Sequence, residues 1–225
     1  MLPTRSTLAW LPGWCRRHAP ALAVLFVGVL APLWLFGELA EAVTEHDALA
    51  IDEALLRFMQ AQAAPALDRW MLTLSLIGSG PWIAAFDVVV ATALAMRRRW
   101  LDALFWILAT GGAALLNVAA KHNYGRIRPD LWVSIAPETS FSFPSGHTMQ
   151  SMAVATALVI LLWHTRARYP VMAAGAAFTL LVGTSRIYLG VHFPTDVAAG
   201  WLASLAWVLG VGLVCYRHPV RRLDG

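Results

Sequence analysis

Six stretches of this chain are almost free of charge. Residues 19–37 carry none, 70–96 carry only Asp87, and 103–120, 148–163, 169–185 and 197–216 carry none. A helix crossing the hydrocarbon of a bilayer needs about 20 predominantly apolar residues. The pattern therefore predicts an all-α fold, a polytopic membrane bundle with six transmembrane helices near 19–38, 80–97, 101–120, 146–164, 169–187 and 195–216. The fourth is short, and the turn at Pro144–Gly146 extends it into the interface. Composition agrees: charged residues make up 13% of the chain, against about 25% in soluble domains.

Arginine placement sets the orientation. Arg5, Arg16 and Arg17 precede the first span, Arg97, Arg98 and Arg99 follow the second, Arg166 and Arg168 follow the fourth, and Arg217, Arg221 and Arg222 follow the sixth. All of these fall on one side, which the positive-inside rule makes cytoplasmic. Both termini are expected there, with 1–18 and 217–225 as cytoplasmic segments and 19–216 as the membrane domain. The net charge of +4 is thus a topology signal and does not argue for nucleic-acid binding. Arg16 and Arg17 precede an apolar run of nearly spanning length with no clear cleavage site, so the first helix is read as retained. Cys15 and Cys215 sit near the cytoplasmic side, where disulfides are rare, and are read as unpaired thiols.

On the outer side, Ile51, Leu55, Phe58 and Met59 recur at helical spacing after a run of acids that includes Asp52. This fits a short amphipathic helix lying on the membrane surface. The segment 66–79, broken from the second span by Gly78, Gly80 and Pro81, is either a second interfacial helix or an outward extension of that span. Asp87, inside the second span, lies about 9 Å below Pro81 at roughly 1.5 Å rise per residue. It marks a path to follow in a transporter, or a structural partner near the outer surface.

Three polar clusters share the outer side. The first reads KHNYGRIRPD after the third span. Lys121, Arg126 and Arg128 stand where cations are disfavoured, which suits lipid headgroups or a built anion pocket. Arginine presents a planar fork that matches phosphate, and lysine adds a compact charge. The second is the start of the fourth helix, FSFPSGH. Its first backbone N–H groups lack internal partners and its dipole favours an anion; Gly146 permits close approach, Ser145 adds a hydroxyl, and His147 follows at once. The third is SRIYLGVHFPTD, with Arg186, His192 and Asp196. An acid four residues after His192 is either a first-turn cap or the group that orients the imidazole. Together, three cations and a helix start suit a phosphate, and two histidines can divide nucleophile and acid roles. No His-x-x-x-His pair or P-loop is present, so neither metal nor cofactor is expected.

These motifs resemble the membrane branch of the type-2 phosphatidic acid phosphatase superfamily, which also includes soluble vanadium haloperoxidases. The family pattern is Lys-x6-Arg-Pro, Pro-Ser-Gly-His and Ser-Arg-x5-His-x3-Asp. It is met by Lys121 to Arg128-Pro129, by Pro144-Ser145-Gly146-His147, and by Ser185-Arg186 to His192 to Asp196. The motif-bearing core is 121–196. The resemblance implies that His192 attacks phosphorus to form a phosphohistidine, oriented by Asp196, and that His147 protonates the leaving oxygen. Lys121, Arg128, Arg186, Ser145 and Gly146 hold the phosphate oxygens, without Mg²⁺. Arg126 falls in the spacer, where the pattern sets no residue type, and is expected only to assist substrate binding.

An outer-edge site suits a lipid phosphate or diphosphate whose tail stays in the bilayer. Compact bacterial members of the family make undecaprenyl diphosphate the favoured substrate; phosphatidate, phosphatidylglycerol phosphate and a lipid-phosphate transferase reaction are the enzymatic alternatives. A non-catalytic lipid-binding or transport protein is the alternative of another class. The expected partners are the bilayer and the lipid substrate, with no obligatory protein partner.

Overall fold

A computed structural model describes residues 18–45 and 50–216. Every regular element among them is a helix: α1 (His18–Thr44, π-helical over Val24–Leu30), α2 (Ala50–Ala61), α3 (Pro65–Ile77), α4 (Gly80–Met96), α5 (Trp100–Tyr124), α6 (Gly146–Leu161), α7 (Arg168–Tyr188) and α8 (Pro194–Cys215). Prolines within the first two positions open α3, α4 and α8, where a missing N–H costs nothing. Cys15 lies outside the described residues, and with it the reading of both thiols as unpaired. The arginines of the two terminal segments lie there too.

Four helices are long and apolar enough to cross a membrane: α1, α5, α7 and α8. The pair α3–α4, bent by 44°, makes a fifth if counted as one span. The sequence predicted six. The difference is α6, which has only 16 residues, about 24 Å at 1.5 Å per residue. It occupies the middle of the bundle, packed against α5, α7 and α8. Its Ala153 and Ala157 are fully buried, the small contact residues that let membrane helices approach closely. Large apolar side chains meanwhile face outward; Val88, Val89, Met96, Ile107 and Leu115 are all more than half exposed. That surface would be costly in water and is at home in lipid, so the protein is an integral membrane protein.

Both segments that the sequence reading placed on the outer side form helices. The α3 helix packs on α7, tied by the Tyr188 hydroxyl donating to Asp68 at 2.6 Å. A bend of 44° at Gly78 and Ser79 separates it from α4. The α2 helix forms as expected, but its protein-facing side holds Asp52 and Leu56, both buried, while Ile51 and Phe58 point away. The buried acid was not anticipated. Asp87 on α4 lies against α5, where Trp106 Nε1 donates to its backbone carbonyl at 3.2 Å.

Three details position the polar end of the bundle. First, α5 runs past the predicted end at 120, so Lys121 is in its last turn and not in a loop. Gly125 stops the helix with φ 58°, its N–H bonded to Lys121 O at 3.0 Å. Second, the loop 125–145 folds back across the helix ends, pinned by Asn117 Nδ2 to Pro144 O at 3.0 Å and by Ser142 N to Arg126 O at 2.8 Å. Third, Gly200 of α8 lies against Thr148 and Ser145 at the start of α6. A Cβ there would come within 2.9 Å of the Ser145 carbonyl oxygen, so only glycine lets the two helices meet this closely.

Candidate active site

The loop 125–145, the last turn of α5, the first turns of α6 and α8 and the last turn of α7 converge on one polar cluster. Arg128 enters from the loop and is its most connected member. Its Nε donates to Ser140 O at 2.6 Å, and Nη1 donates to Val191 O at 2.6 Å. Nη1 also stands 3.1 Å from His192 Nε2, and Nη2 donates to Glu138 Oε2 at 2.7 Å. Arg186, at the end of α7, donates through Nη1 to Ser75 of α3 and through Nη2 to the other oxygen of Glu138. Lys121 Nζ donates to Ser140 Oγ at 2.8 Å. The pocket thus gathers Lys121, Arg128 and Arg186 around Ser140 and Glu138.

His192 is fully buried. Its Nδ1 lies 3.4 Å from Asp196 Oδ2 and 3.4 Å from Ser142 Oγ. Guanidinium nitrogens only donate, so Nε2 facing Arg128 is the acceptor and the imidazole proton belongs on Nδ1, toward Asp196. Asp196 Oδ2 also accepts from Phe193 N at 2.8 Å and from the Ser142 hydroxyl. The cap and the orienting partner, open alternatives in the sequence, are therefore one carboxylate. Its other oxygen accepts from Arg126 Nη1 at 2.6 Å.

Ser145 and Gly146 lie at the start of α6. Ser145 Oγ and Arg186 Nε are buried and make no hydrogen bond within the protein. Buried donors normally find partners, so this pair is suited to an anion entering the cluster. Gly146 packs against Asn117, whose Oδ1 would meet an added Cβ at 2.9 Å. Its lack of a side chain therefore serves helix packing as well as approach to the backbone. His147, the next residue, feels the charges of Arg186, Glu138, His192 and Lys121.

Electrostatics follow from this crowding. Burial pushes the Glu138 carboxyl up, but the guanidiniums of Arg186 and Arg128 outweigh it and hold the group down to about 2. Burial pushes His192 down to about 4, against the pull of Asp196. The imidazole is thus neutral at neutral pH.

All eight sequence-predicted site residues, Lys121, Arg128, Ser145, Gly146, His147, Arg186, His192 and Asp196, lie in this one region. Sequence reasoning missed Glu138, Ser140, Ser142 and Asp52, and placed Arg126 in a spacer although it bonds Asp196 directly. Glu138 had a signal: a carboxylate between two cationic motifs on the same side. Asp52 had none, because nothing in the spacing joins α2 to α8.

Fold and site together define an integral-membrane helical phosphatase with Lys121, Arg128 and Arg186 gathered at one end of the bundle. The chain belongs to the PAP2 superfamily, whose profile matches residues 101–220. It is 31% identical over 172 residues to phosphatidylglycerophosphatase B of Bacillus subtilis, covering 74% of this chain and 84% of that one. It is 32% identical over 125 residues to undecaprenyl-diphosphatase of Sulfolobus acidocaldarius, covering 53% of this chain and 58% of that one. The crystal structure of a transmembrane PAP2-type phosphatidylglycerolphosphate phosphatase from Bacillus subtilis superposes with a TM-score of 0.74 at 30% identity. It covers 81% of this chain and 92% of that one.

Proposed function

We propose that this protein hydrolyses a lipid phosphate or diphosphate at the outer face of a bacterial inner membrane, through a phosphohistidine intermediate. The observation that carries the reading is the Nε2 of His192, 3.1 Å from Arg128 Nη1, at the edge of a cluster of three fixed cations. His192 Nε2 attacks phosphorus, the bond from phosphorus to the leaving oxygen breaks, and His147, protonated beside the anionic substrate before the step, gives that oxygen its proton. Asp196 stabilises the imidazolium. Water then attacks the phosphohistidine, His147 takes its proton, and inorganic phosphate leaves with His192 restored. Lys121, Arg128, Arg186, Ser145 and the Gly146 N–H bind the equatorial oxygens; positioning and charge stabilisation supply most of the catalysis in such transfers.

The topology proposed with it has six crossings, the 16-residue α6 among them, and both termini in the cytoplasm. The arginine distribution supports it. An apolar groove of about 940 Å³ runs between α1, α5 and α8 from Pro144 and Met149 toward Cys215. It can hold a lipid tail alongside the headgroup site. Undecaprenyl diphosphate is the substrate favoured by the compact size of the chain. Phosphatidylglycerol phosphate is the second reading, favoured by the extent of the match to the Bacillus subtilis phosphatase. The test is phosphate release by purified protein from a panel of both lipids and phosphatidate, with EDTA present. Release that survives EDTA and is blocked by vanadate supports the reading. Activity that vanishes in EDTA and returns with a divalent ion overturns it.

A further inference from the structure

Asp52 is an acid on an outer helix, 1% exposed, and far in sequence from every motif. Its Oδ2 pairs with Arg126 Nη2 at 3.1 Å and accepts the Thr195 hydroxyl at 2.7 Å. Its Oδ1 accepts Thr195 N at 3.0 Å, one of the otherwise unpaired first-turn amides of α8. Arg126 in turn donates through Nη1 to Asp196 at 2.6 Å and to Thr195 Oγ1 at 2.8 Å. Its guanidinium lies 4.0 Å over the Phe193 ring. The chain of contacts runs Asp52, Arg126, Asp196, His192, from α2 to the imidazole.

We infer that Asp52 and Arg126 are positioning residues: a buried ion pair that fixes Asp196, and through it His192, from the outer helix α2. The inference rests on the assignment of His192 as nucleophile. Without Asp52, Arg126 would have Asp196 as its one carboxylate partner and would draw it off the imidazole. Without Arg126, Asp52 and Asp196 would face each other as buried acids, a costly arrangement. With both present, each oxygen of Asp196 has its own partner set, and the oxygen near His192 Nδ1 is held by Ser142 and Phe193 N. None of the hydrogen bonds made by Asp52 or Arg126 reaches the cluster of Lys121, Arg128 and Arg186. Their effect should therefore appear in turnover and not in phosphate affinity.

The experiment compares Asp52→Asn, Arg126→Gln and the double variant, in detergent, on one short-chain lipid phosphate. Each single variant is expected to lower kcat by about 10- to 100-fold, the usual cost of losing a partner one step removed from a catalytic histidine. The inhibition constant of inorganic phosphate should stay within about twofold. The acid limb of the pH profile should shift in opposite directions. Removing the Asp52 charge makes protonation of His192 harder and moves the limb down; removing the Arg126 charge moves it up. The other charged or titratable neighbours of His192, namely Arg128, Arg186, Asp196, Glu138 and His147, are unchanged in both. A merely structural pair would lower activity without opposite shifts, which overturns the inference. So does unchanged kcat with weakened phosphate inhibition. The double variant removes both charges and leaves neither one buried without its partner, so it covers the case in which a single variant fails to fold. It should lose no more than the worse single variant, and additive losses overturn the coupling. His192→Gln, run alongside, separates the two ideas: an active His192→Gln removes the underlying mechanism, whereas an inactive one with unaffected pair variants removes only this inference.

Discussion

Arg128 Nη1 stands 3.1 Å from His192 Nε2. One contact thus joins two of the three sequence motifs and settles the tautomer of the imidazole. The lone pair of Nε2 points at the Arg128 guanidinium, and the proton on Nδ1 points at Asp196. In the proposed mechanism, a phosphate drawn to Arg128 arrives beside the nitrogen that attacks it.

His192→Gln should abolish turnover, by at least about three orders of magnitude, as removal of a nucleophile does. Glutamine is the substitution of choice because the imidazole is fully buried, not exposed at a helix end, and alanine would leave a cavity. The measurement is kcat in detergent with folding checked by circular dichroism. A folded variant retaining more than about a hundredth of wild-type activity rules out the assignment.

Lys121→Ala should lower kcat by an amount on the order of 2.7–4 kcal/mol in barrier, the scale seen when a transition-state donor is lost. Its ammonium leaves the last turn of a packed helix and is held by Ser140 at 2.8 Å, so its direction is fixed. A rise in KM with kcat unchanged would mean a diffuse basic surface instead of a built cradle.

Glu138 lies between the guanidiniums of Arg128 and Arg186 and competes there with any incoming anion. Glu138→Gln removes the competing charge. Inhibition by tungstate should tighten by about tenfold, or ~1.4 kcal/mol. Weaker inhibition would show that the carboxylate aims the arginines at the substrate.

The pH profile of kcat/KM should keep its acid limb below the ordinary histidine value, since burial holds His192 at about 4. The same shift enters stability. Between about pH 6.5 and 4 the unfolded chain binds a proton that the folded one excludes. The contribution is therefore complete above 6.5 and is lost as pH falls toward 4. Thermal melts of wild type and His192→Gln across that window check it; parallel pH dependence in both would refute the burial argument.

Every predicted span has a helix, and the starts at Gly80, Gly146 and Pro194 are legible because glycine, serine and proline mark them locally. The end of α5 was misplaced by several residues: Lys121 looks like loop by charge, and only Gly125 with its positive φ shows where the helix stops. Glu138 was visible as a residue and invisible as a site member, because loop conformation decides whether a side chain reaches the arginines.

What the sequence determined by itself is whatever depends on local composition and fixed spacing. Apolar runs require membrane helices, and three spaced motifs carry the cations, histidines and acid that gather at one end of the bundle. What only the tertiary structure decided is what depends on elements remote along the chain. Asp52 meets Arg126 and Thr195 because α2 packs on α8. Ser75 meets Arg186 because α3 packs on α7. Glu138 meets two arginines because its loop folds back over the helix ends. The physical reason is the cost of burying a charge: a buried acid or guanidinium must find its partner in space, and no local signal in the chain records which remote segment supplies it.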